Sequence, residues 1–189
     1  MARPLSSEKR TAILEAATQV VAASGTSAAT AAIAKSAGVA EGTLFTYFSN
    51  KDELLNALYL DIKSDLHALM TRSLKPGGEL VDRCRGVWDS FIGWGLANPE
   101  KAKALKQLAV SDRITEETRR LSSGLSSPMT AMFQECSVMV VQKGLPKTYA
   151  GTLMSVMAEI TASYIAGEPA KARRHIRAGF DAYWRAIGQ

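Results

Sequence analysis

The run Gly42-Thr43-Leu44-Phe45-Thr46-Tyr47-Phe48, followed after Ser49 by Asn50-Lys51-Asp52-Glu53-Leu54, decides how this chain is read. A stretch rich in small residues, Thr30-Ala31-Ala32-Ile33-Ala34-Lys35-Ser36-Ala37-Gly38-Val39, precedes it, with Ala40-Glu41 between. Two short helices that cross steeply need a small residue at the crossing, and Ala34 supplies it. They also need a turn residue at ease with a backbone conformation that side chains resist, and Gly38 supplies that. Ile33, Ala37, Val39 and Leu44 fall where apolar side chains would seal the pair. The spacing predicts a helix-turn-helix over about 30–49.

Reading outward, Ser6 or Ser7 can cap a first helix, with Glu8 in its first turn. Ile13, Leu14, Ala17, Val20 and Val21 recur at helical spacing, and Gly25 ends the helix. Lys9 and Arg10 stay on the polar side. Asn50 is an N-cap for a long helix to about Leu74, with Leu54, Leu55, Leu58, Ile62, Leu66 and Leu69 as its buried stripe. Lys75-Pro76-Gly77-Gly78 breaks the chain. Further helices are expected over 79–97, 99–110, 112–122, from Pro128 to Lys143, over 147–166 and over 170–187. Strand-favouring runs are scarce, so the expected fold is all-α with about nine to ten helices. Its domains are 1–50 (helix-turn-helix), 51–74 (connecting helix) and 75–189.

Composition narrows function. The net charge is +5, which agrees with a polyanionic partner without requiring one. Cys84 and Cys136 are the two cysteines, with no CxxC spacing, and His67 and His175 stand far apart. Neither a zinc site nor a disulfide framework is expected, nor any cofactor. Met1-Ala2-Arg3-Pro4-Leu5-Ser6 does not read as a signal peptide. No apolar run approaches the roughly 20 residues that span a membrane, so a cytoplasmic location is expected. There is no glycine-rich phosphate loop after a strand and no nucleophile–base spacing, so catalysis is not expected.

With these residues in view, 8–60 resembles the tetracycline-repressor (TetR) family. Its recognition helix reads Gly-Thr-Leu-Tyr-x-Tyr-Phe, and its next helix opens with Lys-Glu/Asp-x-Leu. The resemblance implies an N-terminal three-helix DNA-binding domain and a C-terminal helical ligand-binding and dimerisation domain. It implies a homodimeric transcriptional regulator, a repressor released from a palindromic operator by a small molecule. Its partners would be pseudo-palindromic double-stranded DNA, the effector and a second copy of itself. DNA-contact residues carried over are Ser27, Glu41, Gly42, Thr43, Phe45, Thr46, Tyr47 and Lys51. Gly42 permits close backbone approach, Thr43 offers a hydroxyl, and Thr46 takes the variable groove-facing position. Phe45, where the family usually has tyrosine, reads equally as a contact to a thymine methyl or as packing. Tyr47 would hold a phosphate, Lys51 adds a cation at a helix N-terminus, and Ser27 or Thr26 would cap the second helix.

Two departures stand out. Ala40-Glu41 replaces a usual Ser-Lys, removing a capping hydroxyl and exchanging a cation for an anion. The stretch between Gly25 and Ile33 is alanine-rich and one residue shorter than usual. Residues 1–51 carry Arg3, Lys9, Arg10, Lys35 and Lys51 against Glu8, Glu15 and Glu41. That sparse positive charge keeps an alternative open: a ligand-binding or scaffold protein of the same fold with weak or lost DNA binding.

Beyond residue 75, the resemblance implies a cavity among the helices of 79–143. Trp88, Phe91, Trp94, Met129, Met132, Phe133, Cys136 and Met139 are its candidate lining, suited to an apolar or aromatic ligand. Core packing is the competing reading of each. The last two helices would form a four-helix dimer interface through Leu153, Val156, Met157, Ile160 and Tyr164 with Ile176, Phe180, Tyr183, Trp184 and Ile187. Packing of these residues on the chain's own core is the alternative. A twofold would set two recognition helices about 34–36 Å apart.

Overall fold

The computed structural model describes residues 6–74, 77–124 and 127–188, without the side chains of 127 and 128. Lys75 and Pro76 of the expected chain break, and Arg3 of the basic set, therefore lie outside the described residues. Among the described residues there are ten α-helices, a 3-10 turn at Pro169–Lys171 and no strand. The fold is all-α. No helix among them is long and apolar enough to cross a membrane.

The helices divide into two compact units. One comprises 1–64 and 98–123, the other 65–97 and 124–189. The linear division expected from sequence put everything after residue 75 in one domain. In the structure, two helices from that stretch belong instead with the N-terminal unit. An amphipathic helix records that it has an apolar face, but not which neighbour covers it.

In the N-terminal unit, α1 (Ser7–Ser24) begins where the Ser6 hydroxyl accepts a hydrogen bond from the Lys9 amide at 3.3 Å. It ends at Gly25, whose φ of 76° and ψ of −176° lie in an extended positive-φ region essentially open to glycine alone. Ile13, Leu14, Ala17 and Val21 are buried, while Val20 is half-buried. α6 (Pro99–Ala109) packs on α1 and buries Ala104 and Leu108. α2 (Thr30–Ser36) and α3 (Glu41–Tyr47) form the crossed pair.

α4 (Lys51–Ser73) starts with a reciprocal cap. The Glu53 amide donates to Asn50 Oδ1 at 2.8 Å, and the Glu53 carboxylate accepts from the Ser49 amide at 2.8 Å and from its hydroxyl. Leu54, Leu55, Leu58, Ile62 and Leu66 form its buried stripe, which Met70 continues while Leu69 is half-buried. Asn56 holds the segment that precedes α7 (Glu116–Gly124). Its side-chain NH2 donates to the Arg113 carbonyl at 2.8 Å, and its Oδ1 accepts from the Thr115 amide at 3.0 Å.

The second unit contains residues 65–73 of α4 with α5 (Leu80–Ala97), α8 (Ser127–Val141), α9 (Tyr149–Gly167) and α10 (Ala172–Gly188). Trp88 lies at its centre. The indole N–H donates to the Ile176 carbonyl at 3.0 Å, and the ring meets Phe180 edge-on and Tyr183 stacked. Gly179 lets α10 approach this close, since a Cβ there would stand 2.5 Å from Thr161 Oγ1 and 2.8 Å from Trp88 Cζ2.

Candidate nucleic-acid interface

The turn between α2 and α3 is a Schellman motif. The Gly38 amide donates to the Lys35 carbonyl at 3.2 Å and the Val39 amide to the Ala34 carbonyl at 3.0 Å, with Gly38 at φ 67°. Two otherwise orphaned carbonyls are satisfied inside the turn, and the chain leaves it aimed into α3. Ile33, Ala34 and Leu44 are buried against one another's helices, with Phe48 buried just beyond α3. Arg10 stacks its guanidinium 5.3 Å from the Phe48 ring centroid, tying α1 to the end of α3.

This packing fixes which side chains of α3 face outward. Glu41, Gly42, Phe45 and Thr46 are exposed, while Thr43 and Tyr47 are half-buried. Phe45 is 41% exposed, a large apolar ring left on the surface of a well-packed module. Thr46 returns its hydroxyl to the Gly42 carbonyl at 3.0 Å. The Tyr47 hydroxyl accepts from the Ser6 amide at 3.1 Å, which leaves its own hydrogen available to an outside acceptor. Lys51 opens α4, and its ammonium is held below the ordinary lysine value by burial and by nearby Arg113, against an opposing effect of Asp52. Arg113 is itself bonded to the Asp52 carboxylate.

Glu41, whose anion looked unfavourable here, accepts a hydrogen bond from the Thr30 hydroxyl at 2.6 Å. One carboxylate oxygen is thus engaged within the module, linking the first residues of α2 and α3. Sequence reading missed Thr30. The available signal was that each residue opens one of two crossed helices. The expected cap of α2 is corrected: Ala29 is its N-cap, and no side chain bonds there. Ser27 lies exposed in the preceding turn, and Thr26 instead accepts a 3.4 Å hydrogen bond from Ser111. The turn before α2 sets the cap three residues beyond Thr26, out of that side chain's reach. Ala40 likewise caps α3 with no side-chain bond.

The residues expected to line a ligand cavity all lie in the second unit. Trp88, Met132 and Cys136 have 0% exposure, so they border no space that a water-sized sphere enters; in this conformation they are packed core, not cavity wall. Met129 and Trp94 are also buried, whereas Phe91, Phe133 and Met139 are half-buried. The expected interface residues divide by helix. On α9, Val156, Ile160 and Tyr164 are 49%, 52% and 62% exposed at four-residue spacing, with Leu153 and Met157 half-buried beside them. On α10, Ile176 and Trp184 are half-buried. Phe180, Tyr183 and Ile187 are fully buried in their own unit, which corrects their placement in an interface. Phe180 and Tyr183 pack on Trp88, and a ring held there has no surface left for a partner.

A locked pair of short helices, the second presenting one outward face of glycine, hydroxyls and an aromatic ring, defines a helix-turn-helix protein. Residues 13–58 match the family model for bacterial regulatory proteins of the tetR family. A solved structure from Shewanella sp. PV-4, assigned to the tetR family of transcription regulators, superposes with a TM-score of 0.83 at 25% identity, covering 96% of this chain and 98% of that one. A TetR family transcription regulator from Marinobacter aquaeolei VT8 shares the fold, with a TM-score of 0.82 at 24% identity over 95% of each chain. The nucleoid occlusion factor SlmA of Marinomonas sp. (strain MWYL1) is 29% identical over 115 residues, 60% of this chain and 56% of that relative. The match thus spans little more than half the length of that curated relative. Residues 13–58 thus carry the sequence pattern of bacterial regulatory proteins of the tetR family, and the chain as a whole shares the fold of that family's solved members.

Proposed function

We propose that the chain binds double-stranded DNA sequence-specifically as a homodimer, that it represses transcription from a pseudo-palindromic operator in the cytoplasm, and that a small, largely apolar molecule releases it. The observation that carries this reading is the outward face of α3, with Phe45 on the surface and the Tyr47 hydroxyl hydrogen available beside the α1 N-terminus. A phosphate placed there would meet a hydroxyl donor and the positive end of a helix dipole. Gly42, Phe45 and Thr46 would meet base edges, while Thr43, Tyr47 and Lys51 would hold backbone. The likeness to a nucleoid occlusion factor, whose name associates it with the nucleoid, agrees with a DNA partner.

The homodimer would form along the exposed stripe Val156–Ile160–Tyr164 of α9, joined by Leu153 and Met157, with Ile176 and Trp184 of α10. The effector would enter the second unit beside half-buried Phe91, Phe133 and Met139. It must bind best to a conformation with low DNA affinity, because a ligand with equal affinity for both states shifts nothing.

The test is selection from random duplexes at near-physiological salt, with Tyr47→Phe alongside. Recovery of a palindrome, bound more weakly by the variant, supports the reading. Absence of enrichment by an intact dimer favours the second reading, a ligand-binding or scaffold protein with weak DNA binding. The carboxylate of Glu41 on the presented face is the observation that keeps this second reading in play.

A further inference from the structure

Cys84 of α5 and Cys136 of α8 are both fully buried, and their sulfurs lie 3.5 Å apart. They are 52 residues apart in the chain, so packing of α5 against α8 alone brings them together. A disulfide needs about 2.05 Å between sulfurs, so a small relative shift of the two side chains would join them. One residue before each cysteine, the same two helices are clamped at the surface. Arg83 Nη1 donates to Glu135 Oε1 at 2.7 Å, and a second parallel bond joins Nη2 to Oε2. The Arg83 and Glu135 side chains are 19% and 50% exposed. On both helices, the residue preceding the cysteine thus belongs to an ion pair that solvent reaches.

A third polar group lies close by: Tyr183 stacks on Trp88, which is one helical turn along α5 from Cys84. Tyr183 is fully buried, and its hydroxyl has no hydrogen-bond partner among the described residues. Burial pushes its pKa up, and negative charge on either thiol would push it further. An unpartnered buried hydroxyl is costly, and a small guest that can hydrogen-bond would relieve it once a transient opening of this closed packing admits it.

We propose that Cys84 and Cys136 form an oxidisable dithiol whose substrate is a small, uncharged hydroperoxide, and that oxidation joins α5 to α8 by a reversible disulfide. The chemistry of the surroundings selects this class. A charged oxidant would lose its hydration in an apolar interior, whereas a hydroperoxide is neutral and can bond the Tyr183 hydroxyl. A bound metal would find only two thiols, since no cluster of three or more His, Cys, Asp or Glu exists among the described residues. The hydrogen bond from Cys84 holds Cys136 below the ordinary thiol value, against burial, while the same bond and burial push Cys84 up. Either sulfur can donate in the 3.5 Å contact; with Cys84 donating, Cys136 is the accepting sulfur and takes the part of nucleophile, with Cys84 as the resolving thiol.

The sulfur of Cys136 attacks one peroxide oxygen, and the O–O bond breaks. Cys136 becomes a sulfenic acid, and the other oxygen leaves as the alcohol with the Cys136 proton, hydrogen-bonded by Tyr183. The Cys84 sulfur then attacks the sulfenic sulfur. The S–S bond forms, the S–O bond breaks, and water leaves with the Cys84 proton. Two thiols have lost two electrons and two protons, and the hydroperoxide has become an alcohol and water. This inference is independent of the DNA-binding reading and stands if that reading fails.

The experiment treats the reduced full-length chain with tert-butyl hydroperoxide, then alkylates it in denaturant and maps its peptides without reduction. Loss of both alkylatable thiols, a mass lower by two hydrogens, a Cys84–Cys136 linked peptide and full reversal by dithiothreitol are expected. In Cys84→Ala, a sulfenic-acid trap should label Cys136, and Tyr183→Phe should slow oxidation several-fold. The wild-type chain alone keeps the proposal falsifiable. Two free thiols in the native chain, under conditions that oxidise it in urea, would overturn it. So would links between chains, direct passage to sulfinic acid, or an unchanged rate in Tyr183→Phe.

Discussion

The Thr30 hydroxyl and the Glu41 carboxylate bond at 2.6 Å across the turn that joins the two helices of the helix-turn-helix. An anion that would repel phosphate is thereby placed at the N-terminal end of α3, where the helix dipole favours it, and is anchored to α2. Glu41→Gln keeps the acceptor and removes the charge. Its affinity for duplex DNA should rise roughly three- to tenfold at near-physiological salt, with the gain shrinking as salt is raised. Titrations at several salt concentrations measure this, and an unchanged affinity would place Glu41 away from the phosphates.

Phe45 and Phe48 are three residues apart and are assigned opposite roles. Phe45→Ala removes an exposed ring and should leave the thermal midpoint nearly unchanged while weakening specific DNA binding about tenfold or more. Phe48→Ala empties a buried position and should cost about 3–5 kcal/mol of stability. Denaturation and binding curves on both variants check the assignment; a large loss of stability in Phe45→Ala would contradict it.

The cap of α4 predicts a pH dependence. Hydrogen bonds from the Ser49 side chain and backbone hold the Glu53 carboxyl below the ordinary glutamate value, assisted weakly by Arg10. A depressed folded value contributes stability that is complete above the unfolded pKa and is lost as pH falls through the folded one. Because Glu53 is exposed, the gain is at most about 1 kcal/mol. Glu53→Gln should therefore be slightly less stable than wild type at neutral pH and converge with it in acid. Urea midpoints across that range test the sign.

Gly179→Ala sets helix propensity against packing. Alanine would improve the helix by about 1 kcal/mol. Its Cβ would stand 2.5 Å from Thr161 Oγ1 and 2.8 Å from Trp88 Cζ2. Neither neighbour yields freely, as Thr161 bonds the Met157 carbonyl and Trp88 that of Ile176. Overpacking should win, for a net loss of about 1–3 kcal/mol. A raised urea midpoint would show that the contact relaxes without cost.

The sequence alone determined the features whose physics closes within a few residues. Ser6 and Asn50 reach amides three positions along, Gly25 and Gly38 end helices at positive φ, and Ala34 with Leu44 fits the crossing of α2 and α3. The all-α fold and the outline of the candidate interface were legible for that reason. Tertiary structure decided what depends on which neighbour covers a face. It turned Phe180 and Tyr183 of α10 inward onto Trp88, while Val156, Ile160 and Tyr164 of α9 stayed outside. It joined Thr30 to Glu41, laid α6 on α1, and brought Cys84 to Cys136 across 52 residues. Helical periodicity shows that a side chain shares a face with others, but the partner of that face is set only when the helices pack.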